Sequence, residues 1–120
     1  MKTENLIQVK SFAFAIKVVS AYKYLVFEQK EFVMSKQLLR SGTSIGANLE
    51  EAIGGQSKAD FIAKISISYK EARETVYWLK LLNATAYFTN NEAKTLLADA
   101  EEICRILGTI QVTMKQSLNR

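Results

Sequence analysis

The chain has no proline and no histidine, one cysteine, and only five glycines in 120 residues. Each shortage closes off a class of protein. A fold of short strands and tight turns would lack its usual turn residues, whereas long helices joined by few loops need neither proline nor much glycine. The missing histidine removes the commonest general base, the Ser-His and Cys-His nucleophile pairs, and the Glu-x-x-His motif that holds two irons in helical bundles. It also removes the Arg-x-His kind of ribonuclease site that a helical bundle can carry. No enzyme activity, metal or cofactor is therefore expected. A lone cysteine, Cys104, excludes an internal disulfide. Nothing reads as an export signal, so a reducing cytoplasm is the expected location. No segment reads as a membrane span either, because the most apolar stretch, Leu6 to Phe27, is interrupted by Lys10, Lys17 and Lys23.

The residues that are present describe a folded chain: 48% are hydrophobic and 23% charged, and the length fits one domain, 1–120, around one core. The apolar spacing predicts four helices, at about 5–27, 35–54, 57–83 and 90–117. In the first, Ile7, Phe14, Val18, Ala21 and Leu25 form one apolar seam, and Val9, Phe12, Ile16, Val19 and Val26 form a second. The two lie roughly 140° apart around the helix. One seam serves the core of a bundle. The second implies a cover from outside, most simply another copy of the chain.

Glu28 to Glu31 is the expected first turn, Ser35 the N-cap of helix 2, and Gly54-Gly55 its left-handed terminus. Ser57 with Asp60, and Thr89 with Glu92, approximate capping boxes for helices 3 and 4. Helix 4 carries the seam Leu96, Ala100, Ile103, Leu107, Ile110 and Met114. Short connections make successive helices antiparallel neighbours, which predicts an all-α, up-down-up-down four-helix bundle.

The stretch SGTSIGANLEEAIGG at residues 41–55 looks at first like a loop. On a helix, however, Leu38, Gly42, Ile45, Leu49 and Ala52 fall on one side, and Arg40, Ser44, Asn48 and Glu51 on the other. The small residues would let a neighbouring backbone approach closely. The polar line reads either as a solvated face or as a network tying helix 2 to a neighbour. Glu71, Glu74 and Trp78 share a face of helix 3 with Ile67 and Leu81, and Arg40 is a reasonable partner for the two acids.

Other chemistry is sparse. Glu50, Glu51, Glu71 and Glu74 could in principle meet around a metal, but neighbouring cations make ion pairing the simpler account. Gly42 and Gly46 are not followed by the Lys-Ser or Lys-Thr of a phosphate loop. Gly54 to Lys58 leads into a helix N-terminus that could hold an anion, and helix termination alone explains it. Cys104 sits beside a core seam with no activating base in view; Tyr22, Tyr24, Tyr69, Tyr77 and Trp78 could stack on bases, but at helical spacing they read first as packing.

The formal charge of +4 is unevenly placed. Residues 1–48 hold seven basic residues against three acidic ones, and the remaining 72 hold nine of each. The excess lies in this first part, where Lys2 and Arg40 join the five lysines Lys10, Lys17, Lys23, Lys30 and Lys36 against Glu4, Glu28 and Glu31. That favours an anionic partner, with the five lysines as the expected phosphate contacts.

The segment QLLRSGTSIGANLEEA resembles the helix-2 signature of the 23S rRNA-intervening-sequence proteins, also called four helix bundle proteins. The matching positions are Gln37, Arg40, Ser44, Ile45, Asn48, Leu49, Glu51, Ser57 and Phe61. Downstream, KEARETVYWLKLL is similar to a helix-3 variant of that family through Lys70, Glu71, Glu74, Trp78 and Leu79. Gly46 stands where a proline is usual and Ala52 where a glycine is usual. The resemblance, over roughly residues 6–115, implies a bundle that assembles into a homo-oligomeric ring, commonly a pentamer. A related group, the accessory variability proteins of diversity-generating retroelements, implies RNA and a reverse transcriptase as partner classes. Two functions follow as expectations: an RNA-associated homo-oligomer, or an adaptor for a protein encoded nearby.

Overall fold

The computed structural model describes residues 2–118. It contains four helices: α1 (Lys2–Phe27), α2 (Met34–Ile53), α3 (Lys58–Ala84) and α4 (Asn90–Leu118). Each boundary falls within three residues of its predicted position. Consecutive helices pack on one another and α4 returns to α1, closing an elongated bundle of 50 × 22 × 20 Å. Paired residues give the directions. Gly46 lies against Ser11 and Gly42 against Val18 across α1 and α2. The Ser68 hydroxyl donates to the Ile45 carbonyl and the Thr75 hydroxyl to Ser41 Oγ across α2 and α3. Gly108 lies against Tyr69, and Gln111 bonds Ser66, across α3 and α4. In each pair one number rises as the other falls, so neighbours run antiparallel.

The first seam of helix 1 is buried as expected, from Ile7 through Phe14, Val18 and Ala21 to Leu25. It meets Leu38, Ile45 and Leu49 of α2, Ile65, Leu79 and Leu82 of α3, and Ile103 and Leu107 of α4 in a single core. The SGTSIGAN stretch lies wholly inside α2, where Ser41 and Gly42 are buried. Among the described residues no helix is long and apolar enough to cross a membrane.

Two turn assignments need correction. Ser35 is not the N-cap of α2. Val33 holds that position without a side-chain bond, and the cap comes from Glu31. Its carboxylate accepts from the backbone N–H groups of Val33, Met34 and Ser35 at 3.1, 2.9 and 2.7 Å. The Gly54-Gly55 end is not left-handed either, since Gly54 has φ −83° and no glycine has a positive φ. The left-handed positions are Lys30 (φ 55°), in the first turn, and Ala86 (φ 66°). The latter ends α3 in a Schellman arrangement, with the Tyr87 N–H on Leu82 O and the Ala86 N–H on Asn83 O. At the α3 start, Ser57 accepts from the Asp60 N–H as expected. Thr89 differs, because its hydroxyl donates to the Glu92 carboxylate.

Candidate functional site

Helix geometry distributes the polar line of α2 among several partners. Arg40 reaches across to α3, donating from Nη1 to Glu71 Oε1 at 3.2 Å and from Nη2 to Glu74 Oε2 at 2.5 Å. The same Glu74 oxygen accepts from Trp78 Nε1 at 2.9 Å. These two donors, the indole first and the guanidinium second, hold the Glu74 carboxyl below its ordinary range against the opposing effect of burial. Ser44 and Asn48 turn back onto their own helix, donating to the carbonyls of Arg40 and Ser44. Glu51 pairs with Lys64 of α3 at 2.7 Å. Beneath this surface chain lie Ser41, Ser68 and Thr75, all buried and bonded between α2 and α3. The line is thus an α2–α3 fastening at its two ends, with the middle satisfied within α2. Glu50, meanwhile, accepts from Gln8 of α1. Among the described residues no three His, Cys, Asp or Glu side chains gather as a metal site.

The five candidate lysines separate into two groups. Lys10 pairs with Glu102 at 3.1 Å and Lys17 with Asp99 at 2.8 Å, so both tie α1 to α4. Lys23, Lys30 and Lys36 have no ion pair among the described residues and are exposed. They follow one another through the end of α1, the first turn and the start of α2.

The second seam of helix 1 faces outward. Val9 is 68% exposed, Phe12 71%, Ile16 56% and Val19 37%, with Val26 half-buried at its edge. Phe27, Phe32 and Val33 continue the apolar surface around the first turn. Roughly five turns of α1, from Val9 to Phe27, therefore carry large apolar side chains on the face turned away from the core.

A third feature was missed by sequence reasoning. The outer faces of α3 and α4 enclose an open groove of about 980 Å³, lined by Tyr69, Arg73, Tyr77, Lys80, Arg105 and Glu101 among others. Arg73 lies over the Tyr69 ring, 6.0 Å from its centroid, and donates to its hydroxyl at 3.3 Å. Tyr77 is 57% exposed and sets its ring edge-to-face on Trp78. None of the three cations forms an ion pair among the described residues. Cys104 sits half-buried in the wall, and burial pushes its thiol above the ordinary range, which suits packing rather than nucleophilic attack. The spacing Tyr69, Arg73, Tyr77, Lys80, in steps of four, four and three, is the pattern that reveals one face of α3.

Comparison with protein families matches residues 3–109 to the model described as 23S rRNA-intervening sequence protein. Among solved structures, the chain is similar to a protein of unknown function from the S23 ribosomal protein family of Bacteroides thetaiotaomicron. The two are 53% identical, the alignment covers 91% of this chain and 97% of that one, and the TM-score is 0.88. No curated protein matches the sequence.

Proposed function

This chain belongs to the 23S rRNA-intervening sequence protein family, and we propose that it works as a non-catalytic, self-assembling bundle that associates with RNA. The observation that carries the proposal is the outward apolar face of α1. Val9, Phe12, Ile16 and Val19, continued by Phe27 and Phe32, make a contiguous stripe of the kind that soluble monomers seldom leave uncovered. A second copy is the cover proposed, and a pentameric ring the form that the family resemblance favours. Assembly multiplies charge: five chains of +4 carry about +20, enough for appreciable affinity for a polyanion at low salt.

RNA is the partner favoured by that charge and by the ribosomal RNA context in the family's name. Of the five candidate lysines, Lys23, Lys30 and Lys36 have no ion pair among the described residues, whereas Lys10 and Lys17 pair with α4. The competing function, a protein adaptor, draws on the same apolar stripe and needs no RNA.

Fluorescence anisotropy of a labelled structured RNA, titrated with the protein at about 50 and 200 mM salt, separates the two. Binding that weakens steeply with salt supports RNA association. A folded protein that binds no RNA even at the lower salt leaves the adaptor reading in its place.

A further inference from the structure

From the open groove between α3 and α4 we infer that a single RNA strand lies there, with phosphates on Arg73, Arg105 and Lys80 and a base stacked on Tyr77. This rests on the RNA association proposed above and names the surface that performs it. Four observations carry it.

First, the cations are free to act. Among the described residues, Lys10, Lys17, Arg40 and Lys64 are engaged in the bundle's own ion pairs, whereas Arg73, Lys80 and Arg105, like Lys23, Lys30 and Lys36, have none. Glu101 is the only acid among the lining residues. Three positive charges against one negative make the groove complementary to a polyanion.

Second, aromatic surface is interleaved with the charge. Tyr77 offers an exposed ring held by Trp78, and the Arg73 guanidinium is already positioned over Tyr69. Tyrosine rings and guanidinium planes are the surfaces on which unstacked bases rest. A duplex keeps its bases stacked inside and could not use them.

Third, the floor is shaped for close approach. Gly108 gives Tyr69 its place against α4, since a β-carbon there would come within 3.2 Å of the ring. From Tyr69 to Lys80 the groove runs roughly 16 Å along the helix, which suits a few nucleotides.

Fourth, the groove does not suit the other available occupant. Docking the apolar α1 stripe of a second copy there would cover Val76 and Val112 of the groove wall, but at the cost of desolvating Arg73, Lys80 and Arg105 with Glu101 alone to compensate them. The stripe and the groove therefore serve different partners.

The test uses the full chain and a fluorescein-labelled 12-mer of mixed-sequence single-stranded RNA, with a 12-base-pair RNA duplex beside it. Four variants are compared: Arg73→Glu with Arg105→Glu, the milder Arg73→Gln with Arg105→Gln, Tyr77→Ala, and the triple Lys23→Glu, Lys30→Glu, Lys36→Glu. Circular dichroism and light scattering confirm that each is folded and assembled as the wild type is. The expected result is preference for the single strand, a loss of about ten-fold or more in the Arg73/Arg105 variants, and a loss of about five-fold or more in Tyr77→Ala, whose charge is unchanged. The lysine triple should lose less than the arginine pair. If the groove variants bind like wild type while the lysine triple loses binding, the groove assignment is overturned and RNA association survives. An unaffected Tyr77→Ala overturns it too, as does a change of assembly size in the arginine variants, which would make the groove a contact between copies. If the wild type binds neither RNA, the RNA reading itself has failed, and an acidic protein segment becomes the occupant to seek.

Discussion

Glu31 caps α2 from outside the helix, and its location is set by a backbone feature rather than by residue type. Lys30 takes a left-handed conformation, and the carboxylate that follows accepts three of the N–H groups left open at the helix start. Burial alone would raise the Glu31 pKa, but the bonds from Met34, Ser35 and Val33 outweigh it, and the carboxyl sits below its ordinary range. The folded state therefore favours the charged form. This contribution is fully present above the pKa of the unfolded carboxyl and fades as pH falls through the lower, folded value. Replacing Glu31 by Gln is expected to cost about 1 kcal/mol near neutral pH, as lost caps do. Urea unfolding at pH 7 and at about pH 3 checks this, since the gap between the proteins should narrow in acid. A gap equal at both values would mean that the charge is not what caps the helix. Sequence reasoning chose Ser35 because serine is the commoner cap, and no pattern in residues 28–35 announces a left-handed Lys30.

At the scale of elements, the small residues of α2 are explained by what α1 presents to them. A β-carbon on Gly42 would sit 2.9 Å from both methyls of Val18, a buried and β-branched neighbour with no room to rotate away. One on Gly46 would meet Ser11 at an ordinary 3.6 Å. The two glycines should therefore respond oppositely to alanine, although helix propensity alone favours alanine at both by about 1 kcal/mol. Gly46→Ala should raise the thermal midpoint, and Gly42→Ala should lower it because overpacking costs about 1–3 kcal/mol. Two midpoints that rise together would show that α1 can yield at Val18.

The helices themselves were legible because their periodicity is strong. The first seam of α1 is buried and the second faces out. That Arg40, Ser44, Asn48 and Glu51 share a face could also be read. Their partners could not, because pairing Arg40 with Glu71 and Glu74, or Lys10 with Glu102, depends on helix register, which spacing within one helix does not contain. The α3–α4 groove escaped for the same reason. Tyr69, Arg73, Tyr77 and Lys80 form a visible line, but Arg105 joins them only when α4 is laid alongside.

For the whole molecule, the assembly proposed above runs through the outward face of α1, which would join copies of this chain. The family membership and the four-helix bundle supply the unit, and the exposed stripe supplies a reason for the unit to associate. Ile16 is the residue to change, being 56% exposed and in the middle of the stripe, so a charge there should leave the monomer folded. The decisive measurement is the mass in solution, by multi-angle light scattering, of wild type and Ile16→Glu at the same concentration. Association through this face gives a wild-type mass several times the 13.5 kDa of one chain, and a helical Ile16→Glu protein at or near 13.5 kDa. A wild-type mass of 13.5 kDa at tens of micromolar, or an Ile16→Glu protein assembled as before, would contradict it.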